Sequence, residues 1–210
     1  MKTSISLLFL AAIVSIRAFG QDAPGQANRV LPLSARQKVG QYLTETYCNP
    51  AIVTAGALRA GIRMADPPKQ YPREWRQGAG AFGRNYGDAF AESVSLHTAK
   101  ALTGIVARED PRYLASNSHN PLARSLHALA FTFIDRSDSG HPMPAFSNFA
   151  GAAAAGFVGN AYLPSGFNDL THARQRAAIA FGSTAAGNLF REFAPGIPKP
   201  IRVFFWLLAR

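Results

Sequence analysis

The stretch of sequence that decides the fold is residues 81–108, AFGRNYGDAFAESVSLHTAKALTGIVAR. It contains no proline and Asp110-Pro111 follows it, so it predicts one long helix that ends before this pair. Counted from Ala79, every fourth residue is small: Gly83, Gly87, Ala91, Ser95, Ala99, Thr103 and Ala107. The row one residue earlier is mostly large and apolar: Phe82, Tyr86, Phe90, Val94, Thr98, Leu102 and Val106. The row one residue later carries the charges: Arg84, Asp88, Glu92 and Lys100.

These three rows predict which side of the helix is buried. Rows of adjacent residues lie about 100° apart around a helix axis, so the large and small rows are neighbours and the charged row lies across from the large row. We therefore expect the large and small rows to be buried and the charged row to face solvent. Close backbone packing at Gly83, Gly87 and Ala91 would offset the cost of helical glycine, about 0.5–1 kcal/mol each relative to alanine.

The same small-xxx-small spacing recurs along the chain, in Gly56–Ala60, Gly151–Ala155–Gly159 and Ala178–Gly182–Ala186. Proline and glycine divide the rest of the chain into helices, and no segment alternates in the manner of a strand. The further predicted helices cover residues 34–46, restarted at Pro50 and continuing to residue 64, and residues 121–134, 146–162 and 169–193, with irregular connections at 69–80 and 135–144. The sequence thus predicts an all-α protein: a single compact helical bundle of about five helices over residues 34–196, with small-xxx-small packing surfaces.

Residues 1–20 have the pattern of a secretory signal peptide. Lys2 precedes the apolar run Ile5–Ile16, and Ala18-Phe19-Gly20 supplies the small residues of a cleavage site before Gln21. An uncleaved N-terminal anchor is the alternative. We therefore expect an exported protein, in the periplasm or associated with the outer membrane.

Two further segments flank the predicted bundle. Residues 21–33 are rich in proline, glycine and glutamine, which predicts a flexible lead-in. Residues 197–210 form an apolar C-terminal tail that either dips into a membrane interface or docks on the bundle. The uncharged segment Ala145–Leu163 is interrupted by glycine and polar residues, which favours a buried core helix over a membrane span.

The composition excludes several classes of protein. With 48% hydrophobic residues the chain is not disordered, and its single cysteine cannot form an intramolecular disulfide. The 22 Lys and Arg residues against 12 Asp and Glu give a net charge of +10, but the basic residues are dispersed. Dispersal and the predicted export argue against nucleic acid as partner. The alternatives are an anionic membrane surface or an envelope polymer as partner, and a basic surface that is simply solvated.

Residues with catalytic chemistry are few. The five histidines show neither the spacing nor the companion carboxylates of a metal site, and we expect no metal and no cofactor. In the polar loop at 135–141, Ser139-Gly140-His141 is similar to the serine-glycine-histidine signature of phosphatidic acid phosphatases, although Asp138 stands where that family has proline. That family's other cationic motifs are missing. The candidate catalytic residues are Arg112, Arg136, Asp138, Ser139 and His141, and a turn-forming loop is the alternative.

A broader resemblance covers most of residues 50–195. It is carried by Asp110-Pro111-Arg112-Tyr113, Arg136–Gly140, Asn148–Gly151, Gly159–Pro164 and Glu192–Pro195. These segments look like those of an uncharacterised family of exported, glycine-rich helical proteins from environmental bacteria. The resemblance implies export and a glycine-rich helical fold, and it brings no established activity, cofactor or catalytic residue.

Two classes of function follow from the sequence. The first is an exported, envelope-associated helical protein without enzymatic activity, a structural or interaction module that could form a homo-oligomer through its small-residue helix faces. The second is a phosphatase-like hydrolase that acts on an anionic envelope substrate through the loop at 135–141. The two differ in whether Arg112, Arg136, Asp138 and His141 converge in one site.

Overall fold

The computed structural model describes residues 32–196 of the chain. The predicted signal peptide, all of the lead-in except Pro32 and Leu33, and the tail at 197–210 lie outside the described residues. The described helices are α1 (Ala35–Tyr47), α2 (Pro50–Ala65), α3 (Arg73–Arg76), α4 (Gly78–Val106), α5 (Pro121–Ala130), α6 (Phe146–Val158) and α7 (Leu170–Phe193), with 3-10 turns at Gly159–Ala161 and Ala194–Gly196. The predicted all-α bundle is confirmed.

The predicted count of about five helices is too low, because seven lie within the described residues. The chain breaks at Cys48 and Asn49, between α1 and α2, and the short α3 lies in the connection predicted to be irregular. Ser34 begins α1 as predicted, since its side chain accepts a hydrogen bond from the Gln37 amide and the Gln37 side chain accepts one from the Ser34 amide.

The segment at 135–144 contains a small hairpin instead of an irregular loop. Strands β1 (Ile134–Arg136) and β2 (Pro142–Pro144) pair antiparallel, with Asp135 opposite Met143. Gly140 takes a φ of 85° in the turn between them, a conformation that favours glycine. The Asp110 amide donates to the Arg136 carbonyl over 2.8 Å, which ties the hairpin to the segment after α4.

Helices α4 and α6 pack against each other at the centre of the bundle. Helix α2 packs on α4 and α7 packs on α6, while α1 and α3 contact α4 and α5 contacts α7. Helices α4 and α6 therefore lie between α2 and α7, and side chains from these four helices meet at the centre of the bundle.

Close packing through glycine is real in α6 and at the 3-10 turn that follows. A Cβ at Gly151 would lie 3.0 Å from the Leu96 carbonyl of α4, and one at Gly156 would lie 2.5 Å from the Ala173 carbonyl of α7. At Gly159 a Cβ would lie 2.7 Å from Leu163 Cδ1. At Gly151 and Gly156 the neighbouring atom belongs to the backbone of another helix, so glycine is required there, whereas the neighbour of Gly159 is a side chain.

The predicted close packing of Gly83 and Gly87 in α4 is wrong. A Cβ at Gly83, Gly87 or Gly182 would have no atom within 4 Å among the described residues, so these positions face open space. A row at every fourth residue drifts by about 40° per step around the helix, and a neighbouring helix covers only part of it. Helix α4 turns a different side to its neighbours, with Asn85, Asp88 and Ala89 buried.

The expected orientation of α4 is also inverted. Of its large apolar row, Leu102 is 61% exposed and Val106 85% exposed, and Phe82 and Phe90 are exposed as well. Asp88, from the charged row, is only 2% exposed. The polar side of α4 therefore lies inside the bundle and its apolar side outside. The buried carboxylates Asp88 and Glu92 are tolerated there because Arg59 and Arg63 of α2 pair with them.

Large apolar side chains are exposed on the other helices too. They include Val39, Leu43, Tyr47, Val53, Leu58, Ile62, Leu122, Leu126, Leu129, Phe146, Phe149, Phe157, Leu170 and Ile179. Among the described residues, no helix combines the length and the hydropathy that a membrane crossing requires.

Candidate functional site

The polar interior is the site candidate, and its first part lies between α2 and α4. Arg59 pairs with Glu92, and Arg63 pairs with Asp88 and reaches Glu92 Oε1 at 3.4 Å. The Tyr162 hydroxyl donates to Asp88 Oδ1 over 2.7 Å. Removal of one partner of a buried ion pair leaves an uncompensated charge, so these contacts hold α2 on α4.

A second polar cluster surrounds Glu109, which follows α4 and is 1% exposed. Its carboxylate accepts hydrogen bonds from Ser147 Oγ at 2.6 Å and from the Ser147 amide at 3.0 Å. Lys38 of α1 donates to the Glu109 carbonyl over 2.8 Å, and its ammonium lies 2.8 Å from the Asp138 carboxylate. One lysine thus joins α1, the end of α4 and the hairpin turn.

Asp135 and Lys100 extend this cluster into the bundle. Burial raises the pKa of Asp135 to about 7, and the charge and hydrogen bond of Glu109 act in the same direction. Burial lowers the pKa of Lys100, and the nearby positive charge of Arg191 lowers it further. A carboxyl with a raised pKa and an amine with a lowered pKa in one interior are typical of functional sites, although structural networks shift pKa values too.

Asp135 makes the stability of the fold pH-dependent in a direction that can be predicted. Its folded-state pKa of about 7 lies above the ordinary value of 3.8, so folding favours the protonated carboxyl. The stability that this carboxyl contributes is fully present below pH 4 and is lost as the pH rises towards 7. Asp135→Asn removes this titration. As the pH rises from 4 to 7, we expect the free energy of unfolding of the variant to rise relative to that of the wild type, by at most about 1.4 kcal/mol per pH unit. Urea unfolding of both proteins measures this difference. A constant difference between the two proteins across this range would contradict the assignment.

A third cluster centres on Glu192 of α7, which is fully buried. Its carboxylate accepts hydrogen bonds from the Tyr113 hydroxyl at 2.6 Å, the Ser116 amide at 3.0 Å and Arg124 Nε at 2.8 Å. Burial alone raises the pKa of Glu192, and these donors outweigh it and lower the pKa below its ordinary value. Glu192 thus anchors the segment after α4, and α5 with it, to the end of α7.

Two cavities open onto this polar interior, each with a volume of about 340 Å³. The first lies between α2, α4, α6 and α7, and the second lies between α1, α4 and the segment that follows α4. Four residues line both cavities: Glu45, His97, Lys100 and Arg191. The volume falls in the range of small-molecule sites, about 300–1,000 Å³.

The structure separates the candidate catalytic residues predicted from the sequence. Arg112 lines the second cavity and holds Asp110 through Nε at 2.8 Å, and Asp138 lies beside Lys38. Arg136 and His141 are exposed and line neither cavity. The five residues therefore do not converge in one pocket.

Ser139 and His141 do meet, on the surface. Ser139 Oγ lies 3.0 Å from His141 Nδ1 and 2.8 Å from Ser137 Oγ, and both Ser139 and His141 are exposed. Within the described part of the chain, the other ring nitrogen of His141 has no hydrogen-bond partner that would orient it as a general base. The contact fits a turn in which side chains hydrogen-bond locally.

We expect His141→Ala to leave the protein nearly unchanged. Exposed substitutions of this kind usually alter the free energy of unfolding by less than about 0.5 kcal/mol. The measurement is thermal unfolding of both proteins, beside a screen of the wild type against phosphomonoester and carboxyl-ester substrates. Turnover by the wild type that vanishes in a well-folded His141→Ala would establish the hydrolase alternative instead.

The residues that build the interior were not identified as a site from the sequence. Glu109 lies outside the four-residue rows and no local motif marks it, while Glu192 belongs to the Glu192–Pro195 segment of the family resemblance, which assigns it no role. Within residues 32–196 no three His, Cys, Asp or Glu side chains are arranged to hold a metal ion. Comparison with known proteins finds no matching family model, curated protein or solved structure.

Proposed function

We propose that this chain is an exported, envelope-associated interaction protein without enzymatic activity, and that its apolar outer surface binds the anionic surface of a membrane. The observation that carries the proposal is the inversion of α4, which leaves Phe82, Phe90 and Leu102 exposed while Asp88 is buried. Large exposed apolar surfaces mark sites of interaction with proteins or membranes. The pattern of residues 1–20 supports export.

Charge favours anionic lipid over a second copy of the chain as the occupant of this surface. Removal of residues 1–20 takes away Lys2 and Arg17, so the mature chain has 20 basic against 12 acidic residues and a net charge of +8, which two copies would share and which would repel them. Each basic residue near an anionic leaflet contributes about 1 kcal/mol of attraction. Exposed arginines such as Arg84 and Arg174 stand on the same helices as exposed apolar residues, as interfacial binding requires.

Cell fractionation and N-terminal sequencing test the export and location. We expect the protein in the envelope fraction, with a mature N-terminus at Gln21 or a near neighbour. Recovery of an intact Met1 in the envelope would contradict cleavage of a signal peptide, and recovery in the cytoplasm would contradict export.

Vesicle flotation of the full chain tests the occupant of the apolar surface. We expect binding to vesicles of phosphatidylglycerol and weaker binding to vesicles of phosphatidylcholine, with a loss of binding at high salt. A discrete homo-oligomer that binds neither kind of vesicle would identify a second copy of the chain as the occupant of the apolar surface. Retention by anionic polymer without vesicle binding would identify an envelope polymer instead.

A further inference from the structure

Two cations line both cavities of the bundle, Lys100 of α4 and Arg191 of α7. Neither has a hydrogen bond or an ion pair to another residue in the described range 32–196. The other cations of the cavity walls are all engaged with protein acceptors: Lys38, Arg59, Arg63, Arg112 and Arg176. Lys100 and Arg191 are therefore the cations available to a ligand.

The charges of Asp135, Glu45 and Glu109 favour the Lys100 ammonium, but burial and the positive charge of Arg191 outweigh them and lower the pKa of Lys100. Among residues 32–196, Glu45 is the one carboxylate on the wall that the two cavities share, and it accepts a hydrogen bond from Gln41 at 3.1 Å. Glu109 faces Lys100 as well, but its carboxylate is held by Ser147. Two cations thus oppose one carboxylate at the shared wall, and an anion between the cations would relieve their repulsion.

We propose that Lys100 and Arg191 bind a phosphate-type oxyanion at the wall where the two cavities meet. A guanidinium presents paired N–H donors that match two phosphate oxygens, and an ammonium adds a compact charge. Arg191 is exposed and Lys100 lies deeper, so the anion enters past the arginine and is desolvated against the lysine. The anion is a free phosphate group or the phosphate of a lipid headgroup. The site requires no membrane and stands whether or not the outer surface binds lipid.

Calorimetric titration of the full chain tests the site, with inorganic phosphate and dihexanoylphosphatidic acid as probes and chloride at matched ionic strength as the reference. Arg191→Gln and Lys100→Met remove the two cations. Arg174→Gln is the matched control, because Arg174 is an exposed arginine of the same helix that lines neither cavity. Arg191→Gln decides the test if Lys100→Met does not fold, since Arg191 is exposed.

We expect the wild type and Arg174→Gln to bind phosphate equally, and Arg191→Gln to bind at least about tenfold more weakly. Tighter binding of the short-chain lipid than of phosphate would identify a headgroup as the source, and equal binding would identify a free phosphate group. Absence of binding by the wild type to both probes would overturn the proposal. Equal weakening in Arg174→Gln and Arg191→Gln would overturn it too, because diffuse surface charge would then explain the binding.

Discussion

Glu192→Ala is expected to lower the free energy of unfolding by about 3–5 kcal/mol, the range for breaking a buried ion pair by removing one partner. The Glu192 side chain is fully buried and accepts hydrogen bonds from Tyr113, Ser116 and Arg124. Without it the Arg124 guanidinium loses its anionic partner and the Tyr113 hydroxyl loses its acceptor. The measurement is urea unfolding at neutral pH.

Two further variants distinguish the loss of the Glu192 charge from the general effect of replacing a glutamate. Glu192→Gln keeps an acceptor for the Tyr113 hydroxyl and loses only the charge pairing with Arg124. It should therefore lower the free energy of unfolding by less than Glu192→Ala does. Glu74→Ala, at an exposed glutamate of α3, should change the free energy of unfolding by less than about 0.5 kcal/mol. Equal effects of Glu192→Ala and Glu74→Ala would show that the Glu192 cluster does not hold α5 and α7 together.

Gly156→Ala is expected to destabilise the protein by about 1–3 kcal/mol or more, as overpacked interiors do. The added Cβ would lie 2.5 Å from the Ala173 carbonyl and 2.6 Å from both the amide nitrogen and the Cβ of Ala177. Two of these three atoms belong to the backbone of α7, so the α6–α7 pair must separate to admit a methyl group. Thermal unfolding measures the effect.

Gly87→Ala is the matched control and should change stability in the opposite direction. Gly87 faces open space in the middle of α4, where alanine is favoured over glycine by about 0.5–1 kcal/mol. A destabilised Gly87→Ala would show that a neighbour packs on this side of α4, as the regular spacing of small residues first suggests. A neutral Gly156→Ala would show that α6 and α7 are farther apart than described.

The helices of the bundle were predictable because their ends carry local signals. Ser34 begins α1 and Pro121 is the first residue of α5, while Asp110-Pro111 follows the end of α4. The hairpin at 134–144 was missed because its strands are only three residues long, too short for an alternating pattern to develop.

The orientation of α4 was not predictable from its own sequence. Hydrophobicity alone places Phe82 and Phe90 inside and Asp88 outside, which is the reverse of their exposure. A signal did exist in the partner helix. Arg59 and Arg63 of α2 have the same spacing of four as Asp88 and Glu92 of α4, which suits two helices joined by ion pairs.

The polar cluster of the interior depends on contacts between residues distant in sequence. Lys38 reaches Asp138 and Tyr113 reaches Glu192, and no local spacing in the sequence predicts either contact. The polar residues of the loop at 135–141, by contrast, are contiguous in the sequence, which is why a sequence motif predicts a site there. The cavity residues Lys100 and Arg191 are isolated in the sequence, and only the packing of both α4 and α7 on α6 brings them to the walls of the same cavity.

Emission from a fluorophore at residue 90 tests most directly the claim that the apolar side of α4 faces outward and contacts lipid. The full chain would carry Cys48→Ser and Phe90→Cys, since Cys48 is an exposed free thiol, and be labelled with the polarity-sensitive dye NBD. Asn117→Cys, at an exposed polar loop position, is the control. We expect water-like emission at residue 90 without vesicles and a shift to shorter wavelength with phosphatidylglycerol vesicles, with no shift at residue 117. Short-wavelength emission at residue 90 before vesicles are added, or water-like emission after, would contradict the account.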